Sequence, residues 1–545
     1  MCALRYTYMW SSIRVYVLSQ KKMLGRRLIR RLSGSSRSIS RFKKWLEDGN
    51  VMYDRLDIVE NESSKQRVVR ASDDIDEDEI VLRLPSERLI TPEMGMNCRL
   101  GQIAKDMGLD ELDGNMYLMM YLLEARQDAE SEFFPYVSAL PTPENSTHFP
   151  AFWDEMERQE LLQGSSLLED IDQQIELNRA DYINLLSSEH KDYVSRIIPS
   201  TQEFMWAELM VSSRAFMVTM SERTSEHTHV MVPFADMLNT ALPHTCDVSF
   251  GMENNHFVMR SLHHIPRGAE VRDSYGYKST RRFLQHYGFA FFDNLDHTGV
   301  SPNVTRLKIP LRAPSSLTEE EEEEEEGKLF ARKSVVARDI LKKDTDKEFY
   351  LDIGSAHVQS GAVPDVVLSR LRLCVANESE TRFIERNFSS NPNQVSFVGR
   401  RNEIAATSFL VQLLEKRLSE YPTTLEVDRE MLISDPSVLS EHSTNSNNTD
   451  GESVMTINQR NALIHVAAEK VILTDWLRVA ALQCATANSR APASQSDLTS
   501  FYAKQTFLGS PPSASGVDSL SSTSVGRRRK RGSSSKKRRK KKKKK

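Results

Sequence analysis

The sequence predicts an α+β protein in which a region of short strands and helices is followed by an all-α region and a basic tail. Short runs of β-branched residues flank an acidic turn in residues 68–85, which is typical of two strands joined by a hairpin. Apolar residues recur at helical spacing within residues 116–186 and again from about 330 to 485. Residues 486–545 are rich in Ser, Ala, Pro and Gly and then in Lys and Arg, so they lack the apolar surface needed to fold alone.

The length of 545 residues allows two or three domains, and a hydrophobic content of 39% is sufficient for packed cores. Apolar stretches stay well below the roughly 18 residues of a membrane helix, so we expect no membrane span. The five cysteines lie far apart and form no pattern with zinc-ligand spacing. This spacing favours a reducing compartment and predicts no structural metal.

The formal net charge of −4 hides an uneven distribution along the chain. Residues 527–545 contain fifteen Lys and Arg, and residues 1–46 contain twelve, with no acid in either segment. Residues 47–526 therefore carry 76 acidic side chains against 45 basic ones. An acidic body favours the approach of basic, lysine-bearing protein substrates and confines any nucleic-acid contact to the tail. A simple role of the acidity in solubility is the alternative.

The basic segments at the two ends of the sequence predict different cellular locations. Residues 1–40 are rich in Arg and Ser, which fits either a mitochondrial or plastid presequence or a disordered extension. The tail contains two dense clusters, RRRKR and KKRRKKKKKK, which resemble a bipartite nuclear signal and imply an importin-type receptor. The denser tail favours the nucleus, with mitochondrial, plastid and cytoplasmic locations as alternatives.

The helical regions are separated by polar segments. In the first region, the Met and aromatic stripe of residues 116–123 indicates a buried core helix. Eight consecutive glutamates, Glu319–Glu326, predict a solvated loop at a domain boundary, with an acidic docking site as the alternative. In the second region, Ile404, Phe409, Leu410, Leu413, Leu414 and Leu418 form a recurring apolar face. Residues 440–452 are predicted to form a polar loop within this second helical region.

The most informative segment is residues 232–294, in which an apolar run ends in a buried polar Asn239 and is followed by DSYG and HYGF. Each motif alone is weak, because Tyr-Gly pairs occur at many strand ends and a lone Asn is commonly a turn residue. Their order and spacing resemble the C-terminal half of the active site of SET-domain methyltransferases.

The resemblance extends along residues 42–485 and points to the branch similar to the Rubisco large-subunit methyltransferase and the actin-histidine methyltransferase. It implies a β-rich SET fold split by a helical insertion and followed by an all-α substrate-binding domain and a disordered basic tail. The matching segments outside the central block are FFPYVSALPT (133–142), FW (152–153), LQGS (162–165), FMWAELMVSSRAF (204–216), NE (402–403), YPTTLEVD (421–428) and NQRNALIHVAAEKVILT (458–474).

The resemblance also implies the domain boundaries, and it requires the two halves of the catalytic domain to meet in space. The predicted parts are a basic extension at 1–40, a catalytic domain at 41–310 with halves 41–92 and 205–310 around an insertion at 93–204, an acidic loop at 311–330, a helical substrate-binding domain at 331–485 and a tail at 486–545.

The same resemblance assigns roles to individual residues, with S-adenosylmethionine (SAM) as the cofactor. Tyr275 would face the methyl-transfer centre, and Tyr287 would line the channel for the substrate lysine. Asn239 and Thr240 would bind the cofactor, and Arg214 would pair with its carboxylate as a charge-assisted fork. Taken alone, either tyrosine also fits an ordinary core position, and Arg214 also fits a structural ion pair.

Three positions depart from the family pattern. Its Gly-x-Gly beside the cofactor aligns on Gln66-Arg67-Val68, which places Arg67 where close approach of a ligand normally requires a bare backbone. Thr240 replaces the usual His, and Ser279-Thr280 replaces the usual Ser-Asn. A degenerate SET protein that acts as a nuclear adaptor is therefore an alternative to an active enzyme.

The resemblance implies a protein-lysine N-methyltransferase, with protein-histidine methylation as the alternative enzyme reaction. Phe216 stands two residues after Arg214, where the histidine-modifying relative has a polar Asn that can hold an imidazole. An apolar ring suits the stem of a lysine better. We therefore expect Phe216 to lie in the substrate channel and the substrate to be a protein with a target lysine.

Overall fold

The computed structural model describes residues 38–60, 67–107, 114–220, 227–311, 322–341, 348–387, 394–435 and 455–488. The predicted presequence up to residue 37, the polar loop at 440–452 and the basic tail lie outside these residues. Within them, no helix combines the length and the apolar character that crossing a membrane requires.

Within the described residues, short strands and many helices alternate up to residue 310, and helices dominate from there to residue 488. The strands are β1 (Leu56–Glu60), β2 (Arg67–Ala71), β3 (Ile80–Pro85), β4 (Ala215–Thr219), β5 (His227–Met231), β6 (Asn239–Thr240), β7 (Val248–Glu253), β8 (His256–Ser261), β9 (Arg272–Asp273), β10 (Thr305–Pro310) and β11 (Glu348–Ile353).

The helices begin with one at 38–48, named α1. Those that follow in the first region are α2 (Pro92–Asn97), α3 (Arg99–Asp106), α4 (Gly114–Gln127), α5 (Phe134–Val137), α6 (Glu155–Leu161), α7 (Ser166–Leu186), α8 (Lys191–Ile197), α9 (Thr201–Arg214) and α10 (Thr280–Tyr287). The later helices are α11 (Glu322–Leu341), α12 (Asp365–Cys374), α13 (Glu378–Asn387), α14 (Arg400–Ser419), α15 (Leu425–Ser434) and α16 (Ile457–Asn488).

The two halves of the predicted catalytic domain meet through their strands. β3 from the first half pairs antiparallel with β8 from the second, with Leu82 opposite Met259. β7 pairs with the other edge of β8 and completes a three-stranded sheet. The backbone N–H of Val271 also donates to the carbonyl of Val69 at 2.8 Å. The helical insertion therefore separates the halves in sequence only.

The prediction that the two strands in residues 68–85 form a hairpin is wrong. β2 pairs with β1, and β3 pairs with β8, so the two strands do not pair with each other. The segment between them is held by a bridge from Ile75 to Ile265 in the second half. A strand pairs where its apolar face is buried best, and here the buried partners come from residues distant in sequence.

The helical insertion forms much of the core beneath these sheets. The Met and aromatic stripe of α4 is buried, as predicted, including Leu118, Met119 and Leu122. Helix α9 packs on α4 and buries Trp206, whose indole N–H donates to the carbonyl oxygen of Pro141 at 2.7 Å. This packing places the end of α9 beside the strands of the second half.

The C-terminal region is helical around the long α16, but it is not purely α. Strand β11 pairs antiparallel with β10, so a strand from the catalytic half extends into the next region. Helix α11 begins at Glu322, within the segment predicted as an acidic loop. Glutamate has a high helix propensity, and acidic residues at a helix N-terminus interact favourably with its dipole. The run of glutamates can therefore form the first turns of a helix whose later turns contain apolar residues.

Buried polar contacts join Ser165, which ends the LQGS segment, and Ser166, which begins α7, to α16. Ser165 Oγ lies 3.1 Å from His465 Nε2, and Ser166 Oγ donates to Glu469 Oε1 at 2.9 Å. Thr305, the first residue of β10, donates to the same Glu469 oxygen at 2.6 Å. Because buried polar groups are costly to leave unpaired, this network specifies how α16 packs on the catalytic region.

Candidate active site

A short parallel pairing brings the DMLN and DSYG motifs together. Asn239 and Thr240 of β6 lie opposite Arg272 and Asp273 of β9. The backbone N–H of Tyr275 donates to Thr240 Oγ1 at 3.0 Å. The pairing fixes Tyr275 beside the end of the apolar run that leads to Asn239.

Tyr275 and Tyr287 form the part of the site that we call the tyrosine end. Their rings are stacked with centroids 5.1 Å apart and an interplanar angle of 24°. The Tyr275 hydroxyl donates to the carbonyl oxygen of Leu238 at 2.8 Å. Burial raises the pKa of each tyrosine hydroxyl above its ordinary value, so both side chains are neutral at physiological pH. The structure thus brings together the two predicted tyrosines.

Gly288 ends helix α10 and turns the chain back past Tyr287. Its φ is +76°, and a Cβ added there would lie 2.4 Å from Cδ2 of His148. Only glycine fits this close approach in the left-handed conformation. Burial and the charge of Arg214 lower the pKa of His148 to about 4, so a neutral imidazole packs against this turn.

Arg214, at the end of α9, forms the core of a second part of the site, the arginine end. Its Nη1 donates to the carbonyl oxygen of Asp236 at 2.7 Å and lies 3.3 Å from Asp236 Oδ2. The Asp236 side chain is fully buried, whereas that of Arg214 is 21% exposed. Burial raises the pKa of Asp236, and the guanidinium opposes this shift. Arg214 Nε and Asp236 Oδ1 are buried and find no hydrogen-bond partner among the described residues.

Arg67 also lies at the arginine end. It begins strand β2, and its Nη1 donates to the carbonyl oxygen of Ala139. Burial and the nearby charge of Arg214 lower the pKa of Arg67. The position that aligns with the family's Gly-x-Gly therefore contributes a second guanidinium close to the first.

Asn239 is exposed, so the prediction of a buried polar Asn is wrong. Leu238, its predecessor, is buried, and alternation along the extended chain turns Asn239 to the opposite side. Its Nδ2 donates to Glu270 Oε1 at 2.7 Å. The amide is therefore oriented by an acidic side chain at the surface of the site.

Phe216 is buried in strand β4, opposite Val230. Its ring makes edge contacts with Phe250 at 5.1 Å and with Phe257 at 5.5 Å. These contacts place Phe216 in an aromatic cluster with β7 and β8. That Phe216 lies in the substrate channel stays a prediction.

Sequence reasoning missed three side chains near the tyrosine and arginine ends. Tyr136 donates its hydroxyl to Asp236 Oδ2 at 2.9 Å. Asp273 is buried two residues before Tyr275, and this burial raises the pKa of its carboxyl to about 7. The Lys278 ammonium donates to the carbonyl oxygen of Tyr275 and lies 5.6 Å from the ring centroid of Tyr287. The only sequence signal for them was their position inside or beside the recognised motifs.

Solved structures show which fold this site belongs to. The structure of the SET domain of LSMT bound to lysine and AdoHcy matches with a TM-score of 0.61 and 20% identity, covering 83% of this chain and 93% of that one. The structure of Rubisco LSMT bound to AdoMet matches with a TM-score of 0.60 and 20% identity, covering 85% and 96%. The chain therefore has the fold of the SET domain of LSMT, as the motifs predicted.

Sequence comparisons show similarity to the Rubisco LSMT substrate-binding domain and to two protein methyltransferases. Residues 324–473 match the family model described as Rubisco LSMT substrate-binding. The actin-histidine N-methyltransferase of Canis lupus familiaris is 25% identical over 405 residues, which cover 71% of this chain and 63% of that protein. The N-lysine methyltransferase SETD6 of Mus musculus is 25% identical over 271 residues, covering 48% and 56%. The matched region thus spans somewhat less than two thirds of the length of these relatives.

Proposed function

We propose that the protein is a SAM-dependent protein methyltransferase that transfers a methyl group to the side-chain amine of a substrate lysine. One observation carries the proposal. The stacked Tyr275 and Tyr287 are joined through Thr240 to the β6–β9 pairing, and the charge of the half-buried Arg214, whose Nε is buried without a partner among the described residues, acts on Tyr275. This combines a neutral aromatic surface for an amine with a cation for a carboxylate. The matching relatives are named as methyltransferases, which supports the proposal.

The residues at the arginine end fit the amino-acid part of SAM. That part carries a carboxylate, and the buried Nε of Arg214 has no hydrogen-bond partner within the described part of the chain, while its Nη1 donates to the Asp236 carbonyl. A guanidinium fork is the side chain best suited to bind a carboxylate. Arg214 and Arg67 would hold the carboxylate, and Asn239 and Thr240 would contact the same part of the cofactor. When bound, SAM supplies a methyl group on a positively charged sulfur.

The tyrosine end fits the requirements of the acceptor amine. A lysine with a pKa near 10.4 must lose its proton first, which costs roughly 4 kcal/mol at pH 7.4. Neutral aromatic walls disfavour the charged amine, and the Lys278 ammonium beside Tyr275 adds repulsion in the same direction. Tyr275 and Tyr287 would orient the amine and exclude water from it, which accounts for most of what an in-line transfer needs.

The choice of lysine over histidine is supported by the apolar surroundings of Phe216, whose ring contacts Phe250 and Phe257. A lysine stem packs on such rings, whereas an imidazole needs polar partners. Histidine methylation is the second candidate, because relatives that cover 71% of this chain are named as actin-histidine N-methyltransferases.

A methylation screen tests the function. Purified protein is incubated with cell extract and isotope-labelled SAM, and the labelled proteins are analysed by mass spectrometry. We expect label on lysine with the wild type and with Tyr277→Phe, a control at an exposed tyrosine of the same loop, but not with Tyr275→Phe. Label on a histidine nitrogen would reverse the order of the two enzyme candidates. Well-folded wild type that shows no SAM binding by calorimetry would favour the adaptor alternative.

We also propose that the protein acts in the nucleus, because residues 527–545 contain fifteen basic residues in two clusters. An importin-type receptor would read these clusters. A fluorescent fusion of the full chain should be nuclear, and a fusion truncated after Gly526 should lose this location. Mitochondrial signal from the full chain would instead support the N-terminal presequence.

A further inference from the structure

One face of helix α16 carries three buried polar side chains at four-residue intervals, Asn461, His465 and Glu469. The first of them lies against the chain that leaves helix α10. The side-chain Nδ2 of Asn461 donates to the carbonyl oxygen of Gly288 at 3.3 Å, and the backbone N–H of Ala290 donates to Asn461 Oδ1 at 3.3 Å. The amide therefore bonds through both its donor and its acceptor to one turn of backbone.

The second polar side chain of this face reaches the other end of helix α10. His465 Nδ1 lies 3.3 Å from Oγ1 of Thr280, the first residue of α10, and His465 Nε2 lies 3.1 Å from Ser165 Oγ. Burial lowers the pKa of His465, so the imidazole is neutral and offers one donor and one acceptor to these two hydroxyls. Helix α16 is thus bonded to the start of α10 and to the turn that ends it.

Tyr287 is the last residue of α10 and directly precedes the turn that Asn461 holds. Its ring stacks on Tyr275 at 5.1 Å and makes an edge contact with Phe289 at 6.3 Å. Such ring contacts tolerate small displacements, because stacked and edge arrangements occur over a range of centroid distances, whereas a hydrogen bond weakens steeply as its angle departs from linearity. The backbone after Tyr287 is therefore fixed more sharply by the Asn461 amide than by the aromatic neighbours.

We propose that Asn461 is a positioning residue that sets the place of Tyr287 in the acceptor site. It acts through the backbone of Gly288 and Ala290, without contact to the reacting atoms. The inference rests on the proposed function, since it treats Tyr287 as part of the wall for the substrate amine. Asn461 lies within residues 324–473, which match the substrate-binding family model, so the inference gives this helical region a part in the rate of transfer.

The test places 3-fluorotyrosine at the position of Tyr287 and records its fluorine NMR signal in the full chain. We expect Asn461→Ala to shift and broaden this signal, because the turn loses both hydrogen bonds. In the extract assay with saturating labelled SAM, the same variant without fluorine should transfer methyl groups about 5- to 10-fold more slowly, the effect of about one net hydrogen bond. Its SAM affinity, measured by calorimetry, should change less than about twofold, which separates an effect on turnover from an effect on cofactor binding.

Asn402→Ala is the matched control. Asn402 is also buried on a C-terminal helix, and its Nδ2 donates to the carbonyl oxygen of Arg372 at 3.0 Å. Thermal unfolding should show a similar loss of stability for both variants, but Asn402→Ala should leave the fluorine signal and the rate as in wild type. Equal shifts of the signal by both variants would mean a general loosening of the helices and would overturn the inference. An unchanged signal in Asn461→Ala would overturn it as well.

Asn461→Asp is the second variant, in case Asn461→Ala does not fold. A protonated carboxyl has the donor and acceptor pattern of the amide, whereas a carboxylate has no donor for the Gly288 carbonyl. Burial raises the pKa of a carboxyl, so the fluorine signal should match wild type at about pH 5 and depart from it at about pH 9. Each spectrum is compared with wild type at the same pH, because Asp273 also titrates in this range. A displaced signal at both pH values would overturn the inference. Wild type that transfers no methyl group would instead overturn the proposed function, while the fluorine signal decides the inference separately.

Discussion

At the tyrosine end of the site, two neutral rings lie stacked 5.1 Å apart, whereas at the arginine end the Arg214 guanidinium pairs with the buried Asp236 carboxylate and its charge acts on Arg67. The tyrosine end is built from residues 238–288, which are close in sequence. The arginine end is assembled from four separate segments that contribute Arg67, Tyr136, Arg214 and Asp236.

This difference follows from the cost of burying charge. Aromatic rings pack favourably wherever they are brought together, so a local motif is sufficient to build the tyrosine end. A buried charge requires partners with correct geometry on several sides, and those partners come from different parts of the fold. The comparison predicts that perturbing the tyrosine end changes the rate of reaction, while perturbing the arginine end changes cofactor affinity.

The largest effect is expected for Tyr275→Phe, which removes the hydroxyl nearest the proposed reacting centre. Loss of one preorganised polar group at such a centre typically reduces turnover about 10²- to 10³-fold. SAM affinity should be unchanged, because the hydroxyl contacts Leu238 and not the arginine end. Steady-state kinetics with calorimetry separate the two quantities. Unchanged turnover would remove Tyr275 from its assigned role.

Asp273→Asn tests whether the tyrosine end favours neutral groups. The folded-state pKa of Asp273, about 7, lies above its unfolded value near 3.9, so the folded chain binds more protons between these two pKa values. Stability therefore falls as pH rises from about 4 to about 7 and stays lower above that range. The amide avoids this penalty, and Asp273→Asn should be more stable than wild type at pH 8 by up to roughly 4 kcal/mol.

Thermal and urea unfolding at pH 5 and pH 8 measure the difference in free energy of unfolding between Asp273→Asn and wild type. This difference should be smaller at pH 5 than at pH 8. Asp247→Asn is the matched contrast, because Asp247 is also buried but pairs with Arg272 Nε at 3.1 Å. That variant should be less stable than wild type at pH 8. Destabilisation by Asp273→Asn at pH 8 would contradict the neutral character of this end.

Arg214→Gln tests the arginine end. Removal of a charged partner should weaken SAM binding by about 1.5 to 3 kcal/mol, with little effect on the rate at saturating cofactor. Arg267→Gln, at an exposed arginine elsewhere on the second half, is the control. A variant that binds SAM normally but reacts slowly would place Arg214 with the acceptor and not with the cofactor.

The smallest effect is expected for Asn239→Ala. Because Asn239 is exposed and already bonded to Glu270, its removal should weaken SAM by about 1 kcal/mol, the usual net value of one hydrogen bond. Comparison with Glu270→Gln, also by calorimetry, sharpens this prediction. If both variants weaken binding equally, Asn239 acts by orienting Glu270 and does not itself contact the cofactor.

The sequence by itself determined the class of fold and the tyrosine end. DMLN, DSYG and HYGF occur in fixed order within about 60 residues, and local features such as the turn at Gly288 make their contacts predictable. The buried stripe of α4 was also predictable, because helical periodicity is a local property. The hairpin at 68–85 was not, since strand pairing depends on which distant strand offers the better buried face.

Only the tertiary structure decided the arginine end and the exposure of Asn239. Tyr136 and Asp236 are 100 residues apart in sequence, and no spacing rule joins them. In the sequence, Arg67 indicated only the loss of a glycine motif, whereas in the folded chain the charge of Arg214 lowers its pKa. Stacked rings and helix faces follow from short-range patterns, whereas pairing buried charges is a long-range requirement that the chain meets only when it is folded.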